Sequence, residues 1–318
     1  PSNSVKIMKK IIYIFMSLAA IVCVAGCNDF LDKQPQSSVT PQTYFRAEAD
    51  LAAYSINLYA FTSIGPGSYG ISTFGSDNGT DNQAAVGYSS FWVPGEWRVQ
   101  ATSGVWNFSQ IRHCNYFLEQ VLPKFEAGEI QGAAANIKHY IGEIYLLRAY
   151  SYFNMLQNIG DCPIVETALP DQEDVLVEAS KRQPRHKVAR FILSDLEKAS
   201  QMLRETSPAG KTRIGRPVAH LLRSRVALFE GTWLKHHKGT AFVPGGQGWQ
   251  GRPEDVSGFN IDSEISYFLT EAMASAKAVG DEVVGNLTEN TGKNEGMDAT
   301  FKTLNPYYVM FCDYSLER

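Results

Sequence analysis

Apolar residues recur along this chain with two different spacings, and the change falls near residue 26. From Ile11 to Val24 they form an unbroken apolar or small run. As a helix that run would be roughly 21 Å long at about 1.5 Å per residue, short of the roughly 30 Å that crossing a bilayer core requires. Beyond residue 40 the apolar residues are spaced by three and four, which predicts helices with one buried stripe. The first stripe reads Tyr44, Leu51, Tyr54, Leu58 and Phe61, with Thr40 as N-cap and Pro41 at the first helical position. A second helix is predicted from Ser103 to Val121, carrying Trp106, Ile111, Asn115 and Leu118, with Pro123 ending it. A third runs from Ala133 to Gln157, carrying Ile137, Ile141, Ile144, Leu147 and Phe153 and closing at Gly160. Later helices are predicted over His186–Arg204, Pro217–Trp233 and Ser263–Val279. Residues 65–100 have no sustained period, and 239–260 is the longest loop between the later helices. The pattern predicts a mainly α fold: a tetratricopeptide-like helical-repeat scaffold with long irregular ligand-binding loops. No clean 34-residue period is visible, so the repeats are read as interrupted by loop insertions.

The short apolar run follows Met8, Lys9 and Lys10 and ends in Val24-Ala25-Gly26-Cys27. A positive segment, a short apolar segment and small residues before a cut site make a signal peptide. The seven residues before Met8 hold no initiator and read as upstream sequence. Val24-Ala25-Gly26-Cys27 resembles the lipobox of bacterial lipoproteins, in which the Cys27 thiol takes a diacylglycerol. An anchor of two or more acyl chains is effectively stable, whereas one chain binds only marginally. The bland alternative is an ordinary signal peptide with a chance cysteine.

Removing residues 1–26 takes away Lys6, Lys9 and Lys10 and no acids, so the net charge moves from −4 to −7. Such a chain lacks the clustered Lys and Arg of a nucleic-acid binder. At 19% charged and 12% aromatic residues, it suits a folded body with aromatic surfaces. Cys114, Cys162 and Cys312 remain after Cys23 and Cys27, an odd number without CxxC spacing. Buried thiols or one fortuitous bridge are expected, with neither a disulfide framework nor a metal site.

Four ordered blocks carry a family resemblance. Asn28-Asp29-Phe30-Leu31-Asp32-x-x-Pro35, directly after Cys27, resembles the opening of SusD/RagB-family lipoproteins. Trp106-x4-Ile111-Arg112-x-Cys114-Asn115-x-Phe117-Leu118 is similar to the family's second helix. Glu143-x4-Arg148-Ala149-x2-Tyr152-Phe153, running on to Gly160-Asp161-x-Pro163-Ile164, resembles its most recognisable helix and loop. Gly215-Arg216-x-x-Ala219 through Leu228-Phe229 resembles the next repeat. The resemblance spans residues 27–235. It implies a surface-exposed, lipid-anchored outer-membrane protein that binds glycan, or peptide, and works with a SusC-like TonB-dependent transporter. It divides the chain into upstream residues and signal peptide (1–26), lipidated tether (27–39) and SusD-like helical domain (40–318). Family members run to roughly twice this length, which implies a chain lacking the family's C-terminal half.

A sugar presents an apolar CH face and a rim of hydroxyls, so its binder needs flat aromatic platforms beside polar side chains. Residues 69–98 supply that mixture, and Asp81, Asn82, Tyr88, Trp92, Trp97 and Arg98 are the candidate ligand contacts. Packing of these aromatics onto the helices is the bland alternative. Trp106, inside a helical motif, is expected in the core. The Gly-rich stretch Phe242–Trp249 ends in an indole, and Trp249 is read as stacking on ligand, docking on the transporter or simply packing.

Other matches are discounted. Gly65-x-Gly67-x-x-Gly70 lacks the flanking strand and helix of a dinucleotide site, and Asp77-x-Gly79-x-Asp81 lacks the remaining ligands of a calcium loop. His236 and His237 are adjacent, not i, i+4, and read as a solvated helix end. No Gly-x-Ser-x-Gly elbow or Cys/His constellation is present, and no cofactor is implied. The expectation is a binding protein and not an enzyme. A surface glycoside hydrolase using loop carboxylates and a purely protein-binding helical scaffold are the alternatives.

Overall fold

In the computed structural model, residues 44–59, 93–94, 96 and 106–284 are described. Seven α-helices lie in this part: α1 Glu48–Asn57, α2 Ser109–Glu126, α3 Ala134–Ile159, α4 Glu173–Ala179, α5 Arg185–Met202, α6 Arg216–His236 and α7 Ile261–Val283. Two isolated bridges, Ala47 with Gln131 and Cys162 with Gln183, are its only β pairing among the described residues. The mainly α, tetratricopeptide-like expectation holds.

Helix α3 is the central element. Its 26 residues make it about 39 Å long, and every residue from His139 to Ala149 is buried. A helix apolar on most sides belongs inside a domain, and α1, α2 and α5 surround this one. Helix α5 runs antiparallel to α3, since Gly142 meets Met202 and Leu203 while Tyr152 meets Phe191. Helix α6 reverses again, pairing Arg185 with Glu230 and Glu197 with Arg223. Helix α7 packs back on α6 at Gly231, where Phe268 and Leu269 approach.

Local chemistry sets the ends. Glu48, in the first turn of α1, accepts from Ala133 N–H at 2.9 Å and Asn136 Nδ2 at 2.7 Å, so one helix caps the start of another. Phe45 takes a left-handed φ of 60°, a strained conformation for a residue with a side chain. Its ring is fully buried, 5.2 Å from both Tyr54 and Phe117, and that packing holds it there. Asn260 caps α7 by accepting from Ser263 N–H. Gly160 closes α3 with φ 71°, where a side chain would be strained.

Several boundaries differ from the sequence reading. The second helix starts at Ser109, because Trp106, Asn107 and Phe108 are not helical. It also continues through Pro123 to Glu126. Proline removes one bond, to the carbonyl four residues back, while Phe117, Leu118 and Val121 stay buried on the face that holds the helix in place. The first helix begins at Glu48, although its stripe begins at Tyr44; Thr40 and Pro41 lie outside the described residues. Helix α4 has no counterpart in the sequence reading, for it has seven residues and none is buried. No helix among the described residues is long and apolar enough to cross a membrane.

Candidate functional site

The motif residues build a scaffold before they build a site. Arg148, on α3, donates from Nε and Nη2 to Asp195 on α5 at 2.7 and 2.8 Å, and from Nη1 to Asn115 on α2 at 2.8 Å. Three helices are thereby joined at one guanidinium. Burial opposes its charge, but the bonds and attraction of Asp195 outweigh that and hold the Arg148 pKa above its usual range. Asn115 turns its amide donor outward to Val165 O and Thr167 O. Tyr152 adds a reciprocal pair, its hydroxyl accepting from Val165 N–H and donating to Val165 O. So α2 and α3 fix the course of the 160–169 loop.

A second buried network ties α1 to α3. Arg213 donates to both carboxylate oxygens of Glu143 and to Ser55 Oγ. His139 Nδ1 accepts from Arg204 N–H, which leaves its proton on Nε2 for Glu143 Oε1 at 3.1 Å. Burial pushes the Glu143 carboxyl up, but the bonds from His139 and Arg213 win and hold it below the usual carboxylate range. With every donor and acceptor satisfied, this cluster reads as a structural staple. Cys114 and Cys162 are buried free thiols, each pushed up by burial to about 12 and so inert as nucleophiles.

The 160–169 loop delivers Asp161 to the rim of a groove of about 600 Å³. Asp161 Oδ1 accepts from Arg185 N–H at 2.8 Å, at the start of α5, and its Oδ2 accepts from the Trp249 indole N–H at 2.8 Å. Trp249 is half-buried, and Gly251 lies so close to its six-membered ring that a Cβ there would sit 1.9 Å from Cζ2. Trp249 is therefore a fixed wall. The opposite side is set from α6, where Trp233 donates its indole N–H to Phe242 O at 3.0 Å. The Arg185 guanidinium, itself bonded to both oxygens of buried Glu230, lies 4.2 Å from the Trp233 ring centroid. Phe242 stays 63% exposed and is the aromatic surface this groove offers. Arg182 completes the rim, its guanidinium 4.6 Å from the centroid of the Trp106 ring.

Of the candidate residues, Trp249 alone falls within the described part, and it stands in this groove. Asp81, Asn82, Tyr88, Trp92, Trp97 and Arg98, with Cys27, lie outside the described residues. Trp106 departs from its expected core position: it precedes α2 and is 39% exposed. Sequence reasoning singled out the Phe242–Trp249 loop but missed Asp161, Arg182 and Trp233, which lie between 9 and 88 residues from their partners in the groove. The one signal for Asp161 was its place in the block closing α3. His236 is exposed, as a helix end should be, whereas His237 packs on Trp233 at 4.3 Å. Among the described residues, no group of three His, Cys, Asp or Glu is placed to hold a metal ion.

Comparison with known proteins places this scaffold in a family. Residues 29–228 match the SusD-like proteins described as starch-binding and associating with the outer membrane. The chain belongs to that family. It is 22% identical over 241 residues to a SusD-like protein, P25, of Formosa agariphila, covering 72% of this chain and 44% of that protein. It is 26% identical over 195 residues to a SusD-like protein of Bacteroides ovatus, covering 59% of this chain and 34% of that one. The chain thus spans less than half the length of these relatives. Among solved structures it resembles a laminarin-binding SusD-like protein at 17% identity and a TM-score of 0.37, over 59% of this chain and 30% of that one.

Proposed function

We propose that this protein is a surface lipoprotein that binds oligo- or polysaccharide and passes it to a SusC-like TonB-dependent transporter, without cleaving it. The family match carries the proposal: it opens at residue 29, two residues after Cys27, and runs to residue 228, within α6. Acylation of Cys27 holds the chain at the outer membrane. Trp92, Trp97 and Tyr88 supply the stacking surfaces for a sugar, and Asp81, Asn82 and Arg98 bond its hydroxyls. The groove at Phe242 and Trp249 is a second contact region, since it offers an exposed ring beside polar side chains.

Native-gel retardation of the mature lipoprotein in soluble polysaccharides tests the reading. At least one glycan is expected to retard it. Trp92→Ala and Trp97→Ala are each expected to weaken that binding by on the order of 2 kcal/mol, the usual cost of losing an aromatic anchor. Release of reducing ends would assign a hydrolase instead. Retention of peptides with no glycan retarded would assign peptide capture.

A further inference from the structure

We propose that the groove between Phe242, Trp249 and Arg182 takes an anionic sugar, with a uronic acid carboxylate set on Arg182. The inference rests on the glycan-binding reading above and adds the substrate class.

A charge inventory of the groove carries it. Two carboxylates line the groove, and both are occupied. Asp161 uses one oxygen on Arg185 N–H and the other on the Trp249 indole. Asp255 uses both on Arg252, at 2.7 and 2.8 Å. The cations are occupied unequally. Arg185 is engaged by buried Glu230, and Arg252 by Asp255. Lys181 meets Glu178 in a pair whose side chains are 48% and 72% exposed, and such exposed pairs hold their members weakly. Arg182 has no carboxylate within ion-pair distance among the described residues, and its guanidinium is steadied by the Trp106 ring. A guanidinium set beside an aromatic ring and without a carboxylate partner has N–H groups to offer a planar two-oxygen acceptor, which a carboxylate supplies. Asp161 is bonded only by neutral N–H donors and keeps its charge, so what favours an anionic group here is the single unpaired guanidinium of Arg182 and not an excess of cations.

The aromatic side of the groove makes that ligand a sugar. Phe242 offers an exposed ring, Trp233 is bonded to Phe242 O, and Trp249 is held on the groove wall by Asp161. The apolar CH face of a pyranose suits such a ring. The C5 carboxylate of a uronate extends from the edge of that pyranose, where an arginine on the groove rim can bond it.

Isothermal titration of the mature full-length protein tests the inference with tetramers of galacturonate, mannuronate and guluronate. The controls are their methyl esters, a neutral glucan tetramer and a sulfated galactan tetramer. One uronate tetramer is expected to bind at least tenfold more tightly than its methyl ester. Arg182→Ala and Phe242→Ala are each expected to weaken it tenfold or more, and Arg182→Ala to flatten its salt dependence. Melting curves confirm that both variants fold, as their exposed positions imply. Equal binding of acid and ester, preference for the sulfated tetramer, or an unchanged Arg182→Ala would overturn the assignment. Binding of the neutral glucan that depends on Trp92 and Trp97 but not on Arg182 would sink this inference and leave the proposed function standing. No binding of any glycan would sink both.

Discussion

Arg148 keeps its charge with only 3% of its side chain exposed because Asp195 and Asn115 take three of its N–H groups. Removing one partner of such a pair is costly, since the other is left charged and out of water. Arg148→Met is expected to destabilise the fold by about 3–5 kcal/mol in urea unfolding. A change below 1 kcal/mol would mean that the guanidinium is not what joins the three helices. Gly251 is sensitive for a different reason. A Cβ 1.9 Å from Trp249 Cζ2 has nowhere to go without moving the ring. Gly251→Ala should therefore free the indole from Asp161, read as a red shift of tryptophan emission with little loss of melting temperature. The blocks around Glu143, Arg148 and Asn115 were legible as a family pattern. That they are buried staples was not, because burial depends on which helices later in the chain close over them.

At the scale of the element, the three-and-four spacing located six helices, four of them to within four residues at each end, while the first two start six or seven residues later than predicted. It failed where another force sets the outcome. Helix α4 buries nothing, so no stripe announces it. Pro123 suggested an end that tertiary contact overrides, since Val121 and Phe117 remain buried on either turn before it. Contact between α6 and α7 depends on Gly231, where a Cβ would come within 2.9 Å of Leu269 Cδ2 and 3.2 Å of Phe268 Cβ. Gly231→Ala gains helix propensity that offsets the crowding, whereas Gly231→Val is expected to cost about 2 kcal/mol through overpacking. Differential scanning calorimetry separates the two. The start of α5 is acid-sensitive. His186 is buried against Phe259 at 4.5 Å, with Nδ1 unbonded. Burial lowers its pKa to about 4; Glu264 opposes this, and Lys187 and Arg190 add to it. An unfolded chain protonates this ring near 6.5, the folded one only near 4, so stability falls as pH drops through that window. Glu143, held low in the fold, acts in the same direction at still lower pH. The parent should lose about 2–3 kcal/mol more between pH 7 and 4.5 than His186→Gln. Parallel pH profiles would remove His186 from the account.

For the molecule as a whole, the charge and spacing of the first 27 residues predict a lipid anchor. Cys27→Ala is expected to move the protein from the detergent phase to the aqueous phase in phase partitioning, and continued partitioning with detergent would end the lipoprotein reading. Fold class followed from sequence alone because a buried stripe must repeat every three to four residues, and the family followed from the resemblance of four ordered motif blocks. The groove is different. Asp161, Arg182, Trp233, Phe242 and Trp249 carry no common period and belong to separate helices and loops. Only the antiparallel stacking of α3, α5 and α6 decides that they share one rim, which of their charges are spent on each other, and that Arg182 is left over.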